Sequence, residues 1–241
     1  MNSEIAKLKQ IINESENIVF FTGAGISVPS GIPDFRSADG LYTNDLRAET
    51  IISHSYFMSH PKEFYQFYKD KMVYEDALPN IAHKWIAELE DSGKSKGVIT
   101  QNIDGLHLMA GSKNVIEIHG TIYKNHCMKC HKFYSDDVIF NSTGIPKCDC
   151  GGIIKPDVVL YEEGLNEGVI KKTINEISTC DLLIIGGTSL NVYPAASFIN
   201  YFRGRYLVLI NKSITQYDHI CNLVIHDSIG KVFESIEKSL F

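Results

Sequence analysis

Apolar positions follow two rhythms along the chain. Unbroken runs recur at Ile18-Val19-Phe20-Phe21, Gly97-Val98-Ile99-Thr100, Val115 to Ile118, Asp157-Val158-Val159-Leu160, Asp181 to Gly186, Tyr206 to Ile210 and Leu223-Val224-Ile225. The absence of alternation predicts strands buried on both faces, as in a parallel sheet. Between the runs the spacing turns helical. Ile5, Leu8, Ile11 and Ile12 give an amphipathic helix over 3–14, and further helices are expected from Pro79-Asn80 to Ser92, around 167–178 and around 194–203. Strands separated by helices imply an α/β fold with a doubly wound, mainly parallel sheet.

Two stretches break this rhythm. Residues 41–78 are crowded with aromatics, Tyr42, Phe57, Tyr65 and Tyr68 among them, and read as a helical cap; 123–156 carry Cys, Lys, Asp and Gly and read as an insertion. The expected organisation is a large domain of 1–40, 79–122 and 157–241, with the cap and the insertion forming a smaller one.

Charge removes several classes of function. With 23 basic and 29 acidic residues the net charge is −6, and no basic run forms a phosphate-backbone footprint, so direct nucleic-acid binding is not expected. The N-terminal residues lack an apolar signal core and no run reaches membrane-spanning length, which points to a cytoplasmic protein. Four of the six cysteines agree with a reducing compartment. Cys127-x-x-Cys130 and Cys148-x-Cys150, with 17 residues between the pairs, form a set that would bind Zn²⁺ tetrahedrally with no open position, a structural site. The single spacer of the second pair is unusual, and His126, His131 or Asp149 are alternative ligands.

Candidate chemistry sits where apolar runs end. Gly23-Ala24-Gly25-Ile26-Ser27 follows the first strand, and a strand, a glycine turn and a helix N-terminus let backbone amides approach a pyrophosphate. Val28 stands where the usual fingerprint has its third glycine, so the motif alone fits a tight structural turn equally well. Gly186-Gly187-Thr188-Ser189 and Ile210-Asn211-Lys212 end strands on the same expected ligand edge. The block Thr100 to His107 offers amides, a carboxylate and an imidazole but no Ser or Cys nucleophile, which favours orienting a sugar or amide over acylating the enzyme. His119, expected at the same edge as Asn102 and Asp104, is the candidate base for a sugar hydroxyl. His83 and His107 read as packing or capping residues.

In these segments the chain resembles the sirtuins. Gly23 to Ser27, Gly31-Ile32-Pro33-Asp34-Phe35-Arg36, Gln101 to His107, His119-Gly120, the cysteine pairs and Gly187-Thr188-Ser189-Leu190 occur in that family's order, from about residue 8 to 233. The resemblance implies a Rossmann-type NAD-binding domain, one structural zinc, and NAD-dependent removal of acyl groups from protein lysines, with release of nicotinamide and O-acyl-ADP-ribose. By the same resemblance Phe35 and Ile103 wall the nicotinamide pocket, Asn102 and Asp104 orient ribose and amide, and His119 deprotonates a ribose hydroxyl. Gly23, Ala24, Gly25, Arg36, Gln101, Gly187, Thr188, Ser189, Asn211 and Asp227 are then the other NAD contacts. Val158, Val159, Leu160 and Tyr161 lie beside an acyl-lysine peptide added as a strand. Two departures stand out. Tyr161-Glu162-Glu163 replaces a frequent Phe-Gly-Glu, and Tyr65-Gln66-Phe67-Tyr68 lacks the arginine of a Tyr-x-x-Arg pair that grips acidic acyl chains, which favours acetyl or a longer neutral acyl group. Tyr65 and Tyr68 are expected either in an acyl tunnel or in the core. A monomer acting on protein or peptide substrates is expected; mono-ADP-ribosyl transfer and a non-catalytic NAD-sensing module are the alternatives.

Overall fold

Apolar runs that are buried on both faces need helices on both sides, and the chain supplies them. The computed structural model describes residues 2–37, 40–45 and 47–237. In chain order its strands are β1 (Ile18–Thr22), β2 (Ser95–Thr100), β3 (Val115–Glu117), β4 (Gly120–Cys127), β5 (Phe133–Ser135), β6 (Ile154–Val158), β7 (Leu182–Gly186), β8 (Tyr206–Ile210) and β9 (Leu223–Ile225). The helices are α1 (Asn2–Glu14), α2 (Leu41–Asn44), α3 (Ala48–Ile51), α4 (His54–Ser59), α5 (Pro61–Lys71), α6 (Ile81–Asp91), α7 (Leu106–Met109), α8 (Asp137–Phe140), α9 (Glu167–Thr179) and α10 (Ile229–Glu237).

Six strands form a parallel sheet in the order β3-β2-β1-β7-β8-β9. Phe21 sits opposite Ile99 on one side and Ile185 on the other. Alternate residues serve alternate layers. Phe20, Ile184 and Val208 pack with Leu8 of α1, Ile86 of α6 and Phe233 of α10, while Phe21, Ile185 and Leu209 pack with Ile177 of α9 and Phe198 of the segment Ala195–Tyr201. Each such side chain stabilises the fold by roughly 1.5–3 kcal/mol when fully buried. The helix expected around 194–203 is a 3-10 helix, Ala195–Tyr201. α6 starts where the sequence indicated, with Asn80 Oδ1 accepting the Ala82 N–H at 2.9 Å as its N-cap.

One strand expectation is corrected. Asp157 to Leu160 was expected to join the main sheet, yet β6 pairs antiparallel with β4 in a separate three-stranded sheet, β5-β4-β6. The pairing needs Gly120, whose φ of +77° and missing Cβ let the Asp157 carbonyl approach. The chain therefore re-enters the large sheet only at β7. The small sheet packs Ile122 and Val158 against Phe57, Phe64, Tyr65 and Tyr68 of the cap. Among the described residues no helix is long and apolar enough to cross a membrane.

Candidate active site

The strand order reverses between β1 and β7, and ligands of open α/β sheets bind in the crevice beyond the strand ends at such a reversal. A cleft of about 380 Å³ opens there. Every catalytic and every cofactor candidate from the sequence lines it, as do Val158 to Tyr161, but Tyr65 and Tyr68 do not.

The glycines of the first turn are explained by close packing of two loops. The Gly23 and Gly25 N–H groups donate to the carbonyls of Gly186 (3.2 Å) and Gly187 (2.8 Å). A Cβ on Gly23 would lie 2.7 Å from Thr188 Cβ, and one on Gly25 would lie 2.8 Å from Gly187 Cα. Gly25→Ala is therefore expected to force the loops apart, costing about 1–3 kcal/mol as overpacking does, or about 2–4 °C of Tm per kcal/mol at this chain length. Calorimetry with and without NAD checks both the lower Tm and weakened binding.

No long helix follows this turn, contrary to expectation. Two 3-10 turns, Ala24–Ile26 and Val28–Ser30, take its place, with Pro29 in the second and Gly31 closing it at φ +88°. The anion-binding capacity survives by another route. The N–H groups of Ala24, Thr188 and Ser189, all on residues of the cleft wall, have no hydrogen-bond partner among the described residues. Such unpaired backbone donors suit a phosphate.

Beneath the cleft lies a polar network that the sequence motifs did not reveal. Ser27 Oγ donates to Asp104 Oδ2 at 2.6 Å and accepts from Asn102 Nδ2 at 3.0 Å. The other Asp104 oxygen accepts the Leu106 N–H at 3.0 Å. Burial pushes the Asp104 carboxyl pKa up, while these hydrogen bonds hold it down. His83 Nδ1 accepts from Asn80 N at 3.4 Å, so its Nε2 carries the proton and faces Ser27 Oγ at 3.5 Å. His107 lies against His83 with ring centroids 4.8 Å apart and touches Thr22 Oγ1 at 3.0 Å. Both rings are buried, as a packing and capping role requires. The sequence displayed each of these residues, but only the fold shows that they touch.

The pair is expected to make the protein acid-labile. Burial lowers the His83 pKa to about 4 and that of His107 below its ordinary value, while the unfolded chain binds these protons near pH 6.5. The unfolded state thus holds more protons below that pH. Stability conferred by the two neutral rings is complete above pH 6.5 or so and is lost as pH falls towards 4. Urea midpoints should drop between about pH 7 and pH 5.

His119 ends the loop between β3 and β4. Its Nδ1 contacts the Gln101 carbonyl at 3.0 Å; a carbonyl only accepts, so Nδ1 bears the proton and Nε2 keeps its lone pair. Burial lowers its pKa and the Gln101 hydrogen bond raises it in part, leaving it below the ordinary value. Gln101 is fixed in turn, donating from Nε2 to Thr188 Oγ1 at 2.9 Å.

Towards the cap, Phe35 stacks obliquely on Tyr42 with centroids 5.3 Å apart, the Arg36 guanidinium lies 5.3 Å from the Tyr42 ring centre, and the Tyr42 and Tyr161 hydroxyls share a hydrogen bond at 2.9 Å. Tyr65 and Tyr68 are core: both are fully buried, and the Tyr65 hydroxyl donates to the Ile154 carbonyl. The acyl-tunnel alternative for them is set aside, because α5 turns these rings onto the small sheet. At the far end, Asn211 Nδ2 donates to the Ser213 carbonyl at 2.8 Å and Asp227 Oδ1 accepts the Ser228 N–H at 2.7 Å.

The four cysteines converge as well. The Sγ atoms of Cys127, Cys130, Cys148 and Cys150 lie within 4.8 Å of one another, with Cys127 to Cys150 and Cys130 to Cys148 at 3.5 Å. That is too far for disulfides, whose sulfurs sit about 2.05 Å apart, and close to the edges of a tetrahedron with Zn–S bonds of about 2.3 Å. Of the alternative ligands, His126 is engaged with Asp157 at 2.8 Å and Asp149 with Lys132 at 2.9 Å, and His131 is not part of the four-thiol group.

The Sir2 family model matches residues 23–194. A Clostridium perfringens protein named NAD-dependent protein deacetylase is 58% identical over 242 residues, covering 98% of this chain and 99% of its own. A solved Sir2 structure with a deacetylated p53 peptide and 3′-O-acetyl ADP ribose matches with a TM-score of 0.92 and 38% identity over 98% of each chain. A Sir2 bound to a propionylated peptide matches with a TM-score of 0.88 and 38% identity, again over 98% of each chain. Similar in sequence and in fold over nearly its whole length, the chain belongs to the Sir2 family.

Proposed function

We propose that this protein removes acetyl, or longer neutral acyl, groups from protein lysines in an NAD-dependent reaction that yields nicotinamide and O-acyl-ADP-ribose. One observation carries the reading: His119 stands in the cleft as a neutral imidazole with Nδ1 pinned and Nε2 unpaired, the state a general base needs. The deacetylase relatives and the peptide-bound Sir2 structures point the same way.

The lining fits NAD. The free N–H groups of Ala24, Thr188 and Ser189, with Arg36, suit a pyrophosphate; Asn211 and Asp227 suit the adenosine end. NAD, when bound, supplies the ADP-ribosyl group that accepts the acyl chain. Gly23, Gly25 and Gly187 let the two loops close around it. Phe35 and Ile103 exclude water from the nicotinamide side, and Asn102 and Asp104, held by Ser27, present fixed polar atoms to ribose and amide. His119 takes a proton from a ribose hydroxyl at Nε2. Val158 to Tyr161 receive the substrate backbone as an added strand. Cys127, Cys130, Cys148 and Cys150 hold a structural zinc. On this reading the protein works in the cytoplasm as a monomer and does not bind nucleic acid.

The test is mass spectrometry of the products formed from NAD and peptides bearing acetyl-, butyryl- or succinyl-lysine. O-acyl-ADP-ribose should form, with acetyl or butyryl ahead of succinyl by about tenfold or more, since no arginine stands at position 68 and Lys69 donates instead to the Ser142 carbonyl at 2.6 Å. ADP-ribosylated protein without any deacylated peptide would replace this reading with ADP-ribosyl transfer.

A further inference from the structure

We infer that Glu162 is a specificity-determining residue, giving the protein a preference for acyl-lysine peptides whose neighbouring side chains are basic. The inference rests on the deacylase reading and on the placement of the substrate beside Val158 to Tyr161.

Glu162 adopts φ +73°, a conformation that L residues other than glycine seldom take, on the cleft wall directly after the expected peptide edge. Its own N–H and C=O, and the carbonyl of Val159, have no hydrogen-bond partner among the described residues. Unpaired groups of this kind at the end of a strand are what an incoming extended peptide pairs with. The neighbouring backbone is already committed: Tyr161 donates to Ile52 and accepts from His54, and Val159 donates to His119.

Of the carboxylates at this edge, Glu162 is the one with no Lys, Arg or His paired to it among the described residues. Glu163 is neutralised by Lys155 Nζ at 3.1 Å and contacts His54 Nδ1 at 2.9 Å, and Asp157 pairs with His126 at 2.8 Å. Glu162 meets only neutral donors, the Ser55 N–H at 2.8 Å and the Ser55 hydroxyl at 3.0 Å, and no cation pairs with it among the described residues. Leu165, Val192, Tyr193 and Pro194 share the lining and carry no charge, and the lining cations Arg36, Lys71 and Lys212 form no ion pair with Glu162 among the described residues. An exposed carboxylate held in place by two hydrogen bonds beside the substrate backbone lowers the energy of a neighbouring Arg or Lys and raises that of Glu or Asp.

The experiment uses the full chain with NAD and three acetyl-lysine peptides that differ only in carrying Arg, Ala or Glu on either side of the acetyl-lysine. The parent should favour the Arg peptide over the Glu peptide in KM by roughly five- to tenfold at low salt, and the ratio should shrink at high salt. Glu162→Gln should bring the ratio to about two or less, whereas Glu162→Asp should keep its direction. Ser55→Ala, which leaves the charge in place, should preserve most of it. A ratio unchanged in Glu162→Gln, with only a lower Tm, would mean that the carboxylate serves as a latch for the cap and would overturn the inference. Turnover of no peptide by the parent would instead sink the deacylase reading itself, so the two failures are distinct.

Discussion

Replacing His119 by alanine is expected to abolish product formation while leaving nicotinamide chemistry in place. A positioned general base contributes about 10²–10⁴ in rate, so kcat should fall by at least a hundredfold. The loss should be selective. Among the described residues the His119 side chain makes one hydrogen bond, from Nδ1 to the Gln101 carbonyl, and its backbone bond to the Val159 N–H survives the substitution, whereas Asn102, Asp104 and Ser27 hold one another without it. Exchange of labelled nicotinamide into NAD, in the presence of acetyl peptide, should therefore persist in the variant. O-acetyl-ADP-ribose should not appear. The pH profile of the parent gives an independent check. Because the neutral ring is the active form and burial lowers its pKa, activity should fall on the acid side with an apparent pKa below 6.5 or so. A variant that retained turnover within tenfold of the parent would remove His119 from the reaction.

Much of this cleft was legible because each of its walls ends an apolar run. Strand ends at Thr22, Thr100 and Gly186 are marked by an abrupt change to glycine and polar residues, and a doubly wound sheet sends those ends to one edge. What sequence could not reveal is which partner a strand chooses. Val158-Val159-Leu160 is as apolar as any central strand, and periodicity carries no information about the sheet it joins; the choice depends on Gly120 admitting the Asp157 carbonyl from 37 residues away. The ring network escaped for a similar reason. His83, His107, Ser27 and Thr22 are each unremarkable alone, and only α6 and α7 packing together bring the two imidazoles to 4.8 Å. The aromatic cap shows the opposite limit. A Tyr-x-x-Tyr spacing on a helix fits a tunnel or a core equally, and α5 settles it by pointing both rings inward.

The cysteine cluster illustrates how a remote site can govern the cleft, and stripping its metal should inactivate the protein without touching a single cleft residue. β4 runs from Gly120, next to His119, to Cys127; β6 runs from Ile154, four residues beyond Cys150, to Val158 at the proposed peptide edge. The two strands pair with each other, Cys127 opposite Ile154 and Gly120 opposite Val158, and the Val159 N–H donates to the His119 carbonyl at 2.9 Å. One end of this ladder is therefore the metal site and the other is the proposed base and substrate edge. The Lys129 and Cys130 N–H groups, directed at Cys127 Sγ at 3.4 and 3.5 Å, add the outer hydrogen bonds expected around a metal thiolate. At the metal end the described core is only Cys127, Cys148 and Ile154 with the partly buried Tyr134, Val138 and Cys150, too little apolar surface to hold that end alone, whereas Ile122 and Val158 at the other end pack on the cap. Structural zinc contributes about 10–16 kcal/mol of apparent binding free energy in small modules, comparable to the whole stability of a typical protein at about 5–15 kcal/mol. Chelation, or Cys148→Ser, should thus release β4 and β6 together. Hydrogen exchange should rise in both strands while β1, β7 and β8 stay protected, activity should disappear in step, and added Zn²⁺ should restore both in the chelated parent. A zinc-free protein with parent activity and protected β4 amides would show that the ladder stands without the metal.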